Sequence, residues 1–167
     1  FDQSWEQIFK SQSWGKYPSE DVIRYIAKKF GNVEERKKIR ILDLGCGGGA
    51  HTWFLAREGF DPFGIDGSES AIKQSKALLH QDGLTANFTV GDFTYLDYPE
   101  DYFDAIIDSG AIQHNMMDDI KNIHRQIRVL LKPGGCFCGV VINTRTSGWK
   151  DAEKLEENTY KNFKSGP

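Results

Sequence analysis

Cysteine is scarce in this chain: Cys46, Cys136 and Cys138 are the three among 167 residues. They form neither an even disulfide set nor a paired CxxC pattern, which leaves a disulfide scaffold and a structural metal site without support. A reducing, cytoplasmic compartment is the expectation. Long apolar runs are missing as well, so no membrane span is expected, and no signal-peptide pattern opens the chain. Positive charge is not concentrated anywhere. With a formal net charge of -3 and lysine mixed with glutamate, there is no basic stripe of the kind a dedicated nucleic-acid binder carries. Internal repeats and low-complexity segments are absent too. What remains is an ordinary globular composition, 39% hydrophobic and 27% charged, long enough for one core and short for two. One domain over 1–167 is expected, with a helical segment at 1–38, an α/β core at 39–143 and a polar stretch at 144–167.

Against that background the glycines of one segment stand out. The apolar run Ile39 to Leu44 leads into Gly45-Cys46-Gly47-Gly48-Gly49, and a helical pattern follows from His51 to Glu58. A buried strand, a tight turn and a helix N-terminus in that order let a ligand lie against bare backbone. A second apolar run, Phe60 to Asp66, ends in an acid about 20 residues past the loop, where a ribose-binding carboxylate is expected. The loop reads in two ways. Gly45-x-Gly47-x-x-Ala50 fits the dinucleotide pattern of a nicotinamide-dependent oxidoreductase. Asp43-x-Gly45-x-Gly47-x-Gly49 puts an acid ahead of the turn, which opposes a pyrophosphate and suits a sulfonium or ammonium.

Periodicity organises the rest. Ser19 as N-cap, Glu20 and Asp21 in the first turn, Val22, Ile23, Ile26 and Phe30 on one face and Gly31 as stop predict a helix. Ser68 opens another, with Ile72, Ser75 and Leu79 inward and Gly83 as breaker, before an alternating strand from Thr85 to Gly91. Asp104 to Asp108 suits a central parallel strand. Ile120, Ile123, Ile127 and Leu130 predict a helix stopped by Pro133-Gly134-Gly135, and Cys136 to Asn143 supplies a fifth strand. The fold class is therefore α/β, a doubly wound and mainly parallel sheet of about five strands, order 3-2-1-4-5, with helices on both faces. From Thr144 the chain turns polar, with only Trp149, Leu155, Tyr160 and Phe163 as sizeable apolar groups. It reads as a lid helix or a mobile insertion.

Five stretches in order, Ile41 to Gly49, Gly64 to Ser68, Val90 to Phe93, Phe103 to Ser109 and Leu130 to Gly135, resemble the motifs of the class I S-adenosylmethionine-dependent methyltransferases. The resemblance implies a Rossmann-like enzyme that binds S-adenosyl-L-methionine, releases S-adenosyl-L-homocysteine and moves a methyl group by in-line displacement. It implies a cofactor site made of Asp43, Gly45, Cys46 and Gly47, of Asp66, Gly67 and Ser68 at the ribose, of Asp92 and Phe93 at the adenine, and of Ser109 where methionine and acceptor meet. That fold usually ends in a further helix and an antiparallel strand pair, which nothing in this chain is expected to supply.

Each assignment has a plainer alternative. Asp66 could cap the helix at Ser68, Asp92-Phe93 could be a turn with a buried ring, and Pro133-Gly134-Gly135 is read as purely structural. Trp14 and Tyr17 stack on a sulfonium in one reading and staple the following helix in the other. His114, at the C-terminal edge of strand four, is placed to take a proton from a nucleophile, with Asp108 as second candidate; it could equally cap a helix. The expected reaction is methyl transfer to a small-molecule acceptor, favoured by exclusion, since neither a basic surface for nucleic acid nor a cysteine array suited to arsenic chemistry is present. A nicotinamide-dependent (NAD) oxidoreductase and a non-catalytic cofactor-binding module are the rivals. Acceptor identity and oligomeric state are not legible.

Overall fold

The computed structural model describes residues 1–143, 152–157 and 159–161. Its centre is a five-stranded sheet of strands β1 (Arg40–Leu44), β2 (Asp61–Asp66), β3 (Asn87–Val90), β4 (Phe103–Ser109) and β5 (Leu131–Val140). The order is β3-β2-β1-β4-β5, and all four pairings are parallel. This is the expected topology. Around it lie helices α1 (Ser4–Ser11), α2 (Glu20–Phe30), α3 (Ala50–Arg57), α4 (Glu69–Gln81) and α5 (Met117–Leu130).

Alternation along the central strands splits the core in two. Leu42, Leu44 and Ile106 point into a cluster with Ile123, Ile127 and Leu130 of α5. Ile41, Ala105 and Ile107 point the other way, against Val22 and Ile26 of α2 and Leu55 of α3. Ile41, Leu42, Leu44, Ile106 and Ile107 are all fully buried, which explains why these strands read as continuous apolar runs. Each such side chain contributes roughly 1.5–3 kcal/mol by leaving water. The scaffold beneath the strand ends is accordingly rigid.

Helix caps follow the sequence in part. Ser68 Oγ accepts from the Ala71 N–H at 3.0 Å and starts α4 as predicted. Ser19 holds the N-cap position of α2 but makes no side-chain cap bond; its hydroxyl lies 3.3 Å from His51 instead. The end of α5 differs as well. The chain is already paired with β4 at Leu131 opposite Phe103, and pairing resumes with Cys136 opposite Ala105. Pro133-Gly134-Gly135 is thus a bulge within β5 rather than a turn before it, with Gly134 at φ 81°. Proline lacks a ladder donor, so a strand accommodates it only where pairing is interrupted.

Beyond β5, the described residues form strands β6 (Glu153–Glu156) and β7 (Thr159–Lys161), an antiparallel pair in a sheet of its own. The pair does not extend the five-stranded sheet. Nor is the predicted lid helix found in these residues; Trp149 and Phe163 lie outside the described residues. Glu156 Oε1 accepts from the Met117 N–H at 2.6 Å, which ties the hairpin to the first turn of α5.

Candidate active site

The glycine turn after β1 takes a path closed to other residues. Gly45, Gly47 and Gly49 have φ of 63°, 50° and 87°, in the left-handed region that penalises a Cβ. Space closes the question at two of them: a Cβ on Gly45 would lie 2.2 Å from Ala111 Cβ, and one on Gly49 would lie 2.8 Å from Ser75 Cβ. The turn is pinned from both sides. The Cys46 N–H donates to Ile65 O at 3.0 Å, and Ser75 Oγ donates to Gly47 O at 2.7 Å.

Asp66 completes this cradle. Its Oδ2 accepts from the Gly47 N–H and its Oδ1 from the Ser68 N–H, both at 2.9 Å. Burial raises its pKa, opposed by these two N–H donors. The carboxylate is therefore fixed in orientation with lone pairs left for a ligand.

Above the cradle opens a cavity of about 390 Å³, within the range of small-molecule sites. Its floor is the C-terminal edge of the sheet: Gly45 to Gly48 after β1, Asp66 at the end of β2, Asp92 and Phe93 after β3, and Ser109 to Ala111 at the end of β4. Ligands of open α/β sheets bind at this edge. The roof comes from the N-terminal segment, where Trp5, Phe9, Trp14 and Tyr17 line the space. Trp14 is 53% and Tyr17 83% exposed, so neither ring staples α2.

Four expected site residues lie elsewhere. Asp43 is buried beneath the turn and does not line the cavity; its Oδ2 accepts from Thr52 Oγ1 at 3.0 Å. Burial pushes its pKa up to about 8, against the Thr52 hydrogen bond. Direct contact with a cation is therefore not its position. Asp108 is equally enclosed, its Oδ1 accepting from Ala111 and Ile112 N–H at 2.8 and 3.1 Å. These donors lead into the 3-10 turn Ile112–His114, whose N-cap is Ala111, and burial raises the Asp108 pKa. Asp108 does not line the cavity, which corrects the expectation of a second base there. Gly67 is covered by the Phe1 ring, and Ser68 is fully buried as the cap of α4. The remaining residues, Gly45, Cys46, Gly47, Asp66, Asp92, Phe93, Ser109, His114, Trp14 and Tyr17, are brought together around one space.

His114 lines that space edge-on to Trp5, with ring centroids 5.1 Å apart. Desolvation lowers its pKa, with Asp2 opposing, so the imidazole is neutral near pH 7. Asp92 Oδ1 accepts from the Thr94 N–H at 2.9 Å.

Two contributors lie outside the predicted site residues. Within the expected helical segment 1–38, α1 is a further helix ahead of the one that Ser19 predicts, with Trp5, Ile8 and Phe9 at i, i+3 and i+4. His51, in the first turn of α3, lines the cavity as well. The Ser19 N–H lies 3.3 Å from His51 Nε2 and can only donate. Nε2 is then the acceptor and the ring proton sits on Nδ1, 3.9 Å from Asp43 Oδ1. Burial lowers His51 to about 4.

The arrangement suits a nucleoside with a cationic tail. Asp66 and Asp92 are hydrogen-bond acceptors at the strand ends, and no lysine or arginine is among the described residues that line the cavity. A pyrophosphate would find no counter-charge there. Among the described residues, no group of three His, Cys, Asp or Glu side chains could hold a metal ion.

Known proteins give the same class. Residues 41–135 match the family described as Methyltransferase domain, and the chain belongs to that family. S-adenosylmethionine is the cofactor this membership implies. The chain is 29% identical over 130 residues to a ubiquinone biosynthesis O-methyltransferase of Paramagnetospirillum magneticum, covering 75% of this chain and 51% of that protein. It is 29% identical over 116 residues to a sterol 24-C-methyltransferase of Aspergillus fumigatus, covering 68% of this chain and 29% of that one. Among solved structures, an S-adenosylmethionine-dependent methyltransferase from Mesorhizobium loti aligns with a TM-score of 0.60 at 26% identity, over 70% of this chain and 52% of that one. The chain thus spans about half the length, or less, of the curated relatives named.

Proposed function

We propose that this chain is an S-adenosylmethionine-dependent methyltransferase domain whose segment 39–143 holds the cofactor and whose acceptor is a small molecule. The observation that carries the reading is Asp66: a carboxylate oriented by Gly47 and Ser68 N–H donors, facing a cavity lined by acids and rings and by no lysine or arginine among the described residues. Asp66 binds the ribose hydroxyls by charge-assisted hydrogen bonds. Asp92, with Phe93, takes the adenine, while Gly45, Cys46 and Gly47 offer backbone at close range and Ser109 marks the border with the acceptor.

When bound, the cofactor supplies a methyl group activated by a sulfonium. The chain's own part is alignment and exclusion of water. Trp14 and Tyr17 offer π faces to a cation, and Trp5 and Phe9 close the space from above. His114, neutral near pH 7, holds the proton of an acceptor that must lose one. The relatives named above act, by their names, on an oxygen in one case and a carbon in the other, so the acceptor atom is not part of the proposal. The lining favours an acceptor without anionic groups. A reducing, cytoplasmic setting is part of this proposal, supported by the free thiols of Cys46, Cys136 and Cys138.

Incubating the full-length protein with methyl-labelled cofactor and a panel of neutral and amine-bearing small molecules tests this. Label should pass to at least one of them. Cofactor binding without transfer to any acceptor would instead support a non-catalytic binding module.

A further inference from the structure

Helix α1 carries two of the roof rings, yet Phe9 is its only buried residue. Apolar burial of one ring is a weak grip for a helix of 8 residues. Polar contacts to α4 hold it instead. Glu6 Oε2 accepts from Ser68 Oγ at 2.5 Å and from the Ser70 N–H at 3.2 Å, and Oε1 accepts from Ser70 Oγ at 2.8 Å. Gln74 Nε2 donates to Phe9 O at 2.6 Å and Gln12 O at 3.1 Å, gripping the other end.

We propose that Glu6 is a positioning residue for the cofactor, latching the roof helix to the turn that orients Asp66. This rests on the function proposed above. Ser68 is the link: its hydroxyl donates to Glu6 while its N–H donates to Asp66 Oδ1 at 2.9 Å. One residue therefore connects the carboxylate of the floor to the helix of the roof. On the roof side, the Phe9 ring lies 3.2 Å from where a Cβ on Gly47 would stand, and Trp5 meets His114. Moving α1 would shift both the ceiling over the glycine turn and the wall beside His114. The latch is also favourable in itself, because Glu6 sits at the N-terminus of α4, where N–H groups and the helix dipole attract an anion. The Ser68 hydroxyl, then Ser70, lowers the Glu6 pKa to about 2, so the carboxylate stays ionised across the physiological range.

A carboxylate that merely stabilised the fold would affect melting and leave ligand affinity alone. Glu6→Ala should instead raise the calorimetric Kd for S-adenosylhomocysteine about tenfold, with the melting temperature nearly unchanged. In the active full-length enzyme the same change should raise KM for the cofactor with kcat preserved. Glu6→Gln, which keeps the shape and loses the charge, should fall between wild type and alanine. Ser70→Ala should add little in the Glu6→Ala background, because their contact is already lost. Hydrogen exchange of residues 4–11 should speed up in Glu6→Ala with or without ligand. Wild-type affinity in Glu6→Ala would overturn the latch, as would a fall in melting temperature with Kd unchanged. Should the unmodified chain bind neither S-adenosylmethionine nor its product, the functional proposal fails. Exchange over residues 4–11 then decides the latch alone, unchanged rates overturning it.

Discussion

Gly45 and Trp14 face the same cavity from opposite sides, and they are held there by different physics. Gly45 sits between fully buried strands, at a φ that excludes other residues and against Ala111 with no room for a side chain. Trp14 is half exposed and leans on Phe9 at 6.0 Å between ring centroids. The floor is fixed by backbone and core packing, whereas the roof hangs on a few polar contacts and one buried ring. Such a division sets a rigid turn and an oriented Asp66 beneath a cover held by few apolar contacts.

Perturbing the floor should therefore cost more than perturbing the roof. Gly45→Ala places a Cβ in collision and imposes about 1–3 kcal/mol of backbone strain. Cofactor affinity should fall on the order of a hundredfold as the turn shifts, with a lower melting temperature; calorimetry and thermal unfolding read both. Asp66→Ala leaves the backbone path in place and removes the oriented acceptor. It should weaken binding by about 2 kcal/mol, roughly thirtyfold. On the roof, Trp14→Ala should cost about 0.5–1 kcal/mol in cofactor binding, a change of a few fold. Losses in Trp14→Ala as large as those in Gly45→Ala would erase the distinction between the two sides.

A smaller effect concerns what lies under the floor. Asp43 is raised to about 8 by burial, so between its unfolded value near 4 and about 8 the folded chain binds a proton that the unfolded chain does not. Its contribution to stability is complete below the unfolded value and is lost as pH rises through the folded one. Denaturant unfolding of wild type and Asp43→Asn across that window should show wild type losing ground to the variant as pH rises. Parallel curves would mean that Asp43 is ionised beneath the turn.

The same contrast explains what was legible in the sequence. Strand order, the glycine turn and the place of Asp66 at the end of β2 follow from apolar runs, clustered glycines and acid placement, all of them local signals. Helix α1 has a short apolar stripe, and the contacts that dock it, Glu6 to Ser70 and Gln74 to Phe9, join residues 64 and 65 positions apart. Polar pairing over that distance leaves no periodic trace. Asp43 and Asp108 misled for a related reason. An acid at a strand end reads as ligand-facing, but whether it turns to the cavity or accepts from neighbouring N–H and hydroxyl groups is decided by packing. The bulge at Pro133-Gly134-Gly135 likewise depends on Leu131 finding Phe103 across the sheet.

With acids at the strand ends and no lysine or arginine among the described lining residues, the floor suits a cationic nucleoside and opposes a pyrophosphate. Titrating the unmodified chain calorimetrically with S-adenosylmethionine and, separately, with NAD tests this most directly. Saturable binding of S-adenosylmethionine and none of NAD is expected; tight binding of NAD with no heat from S-adenosylmethionine would overturn that assignment of the floor.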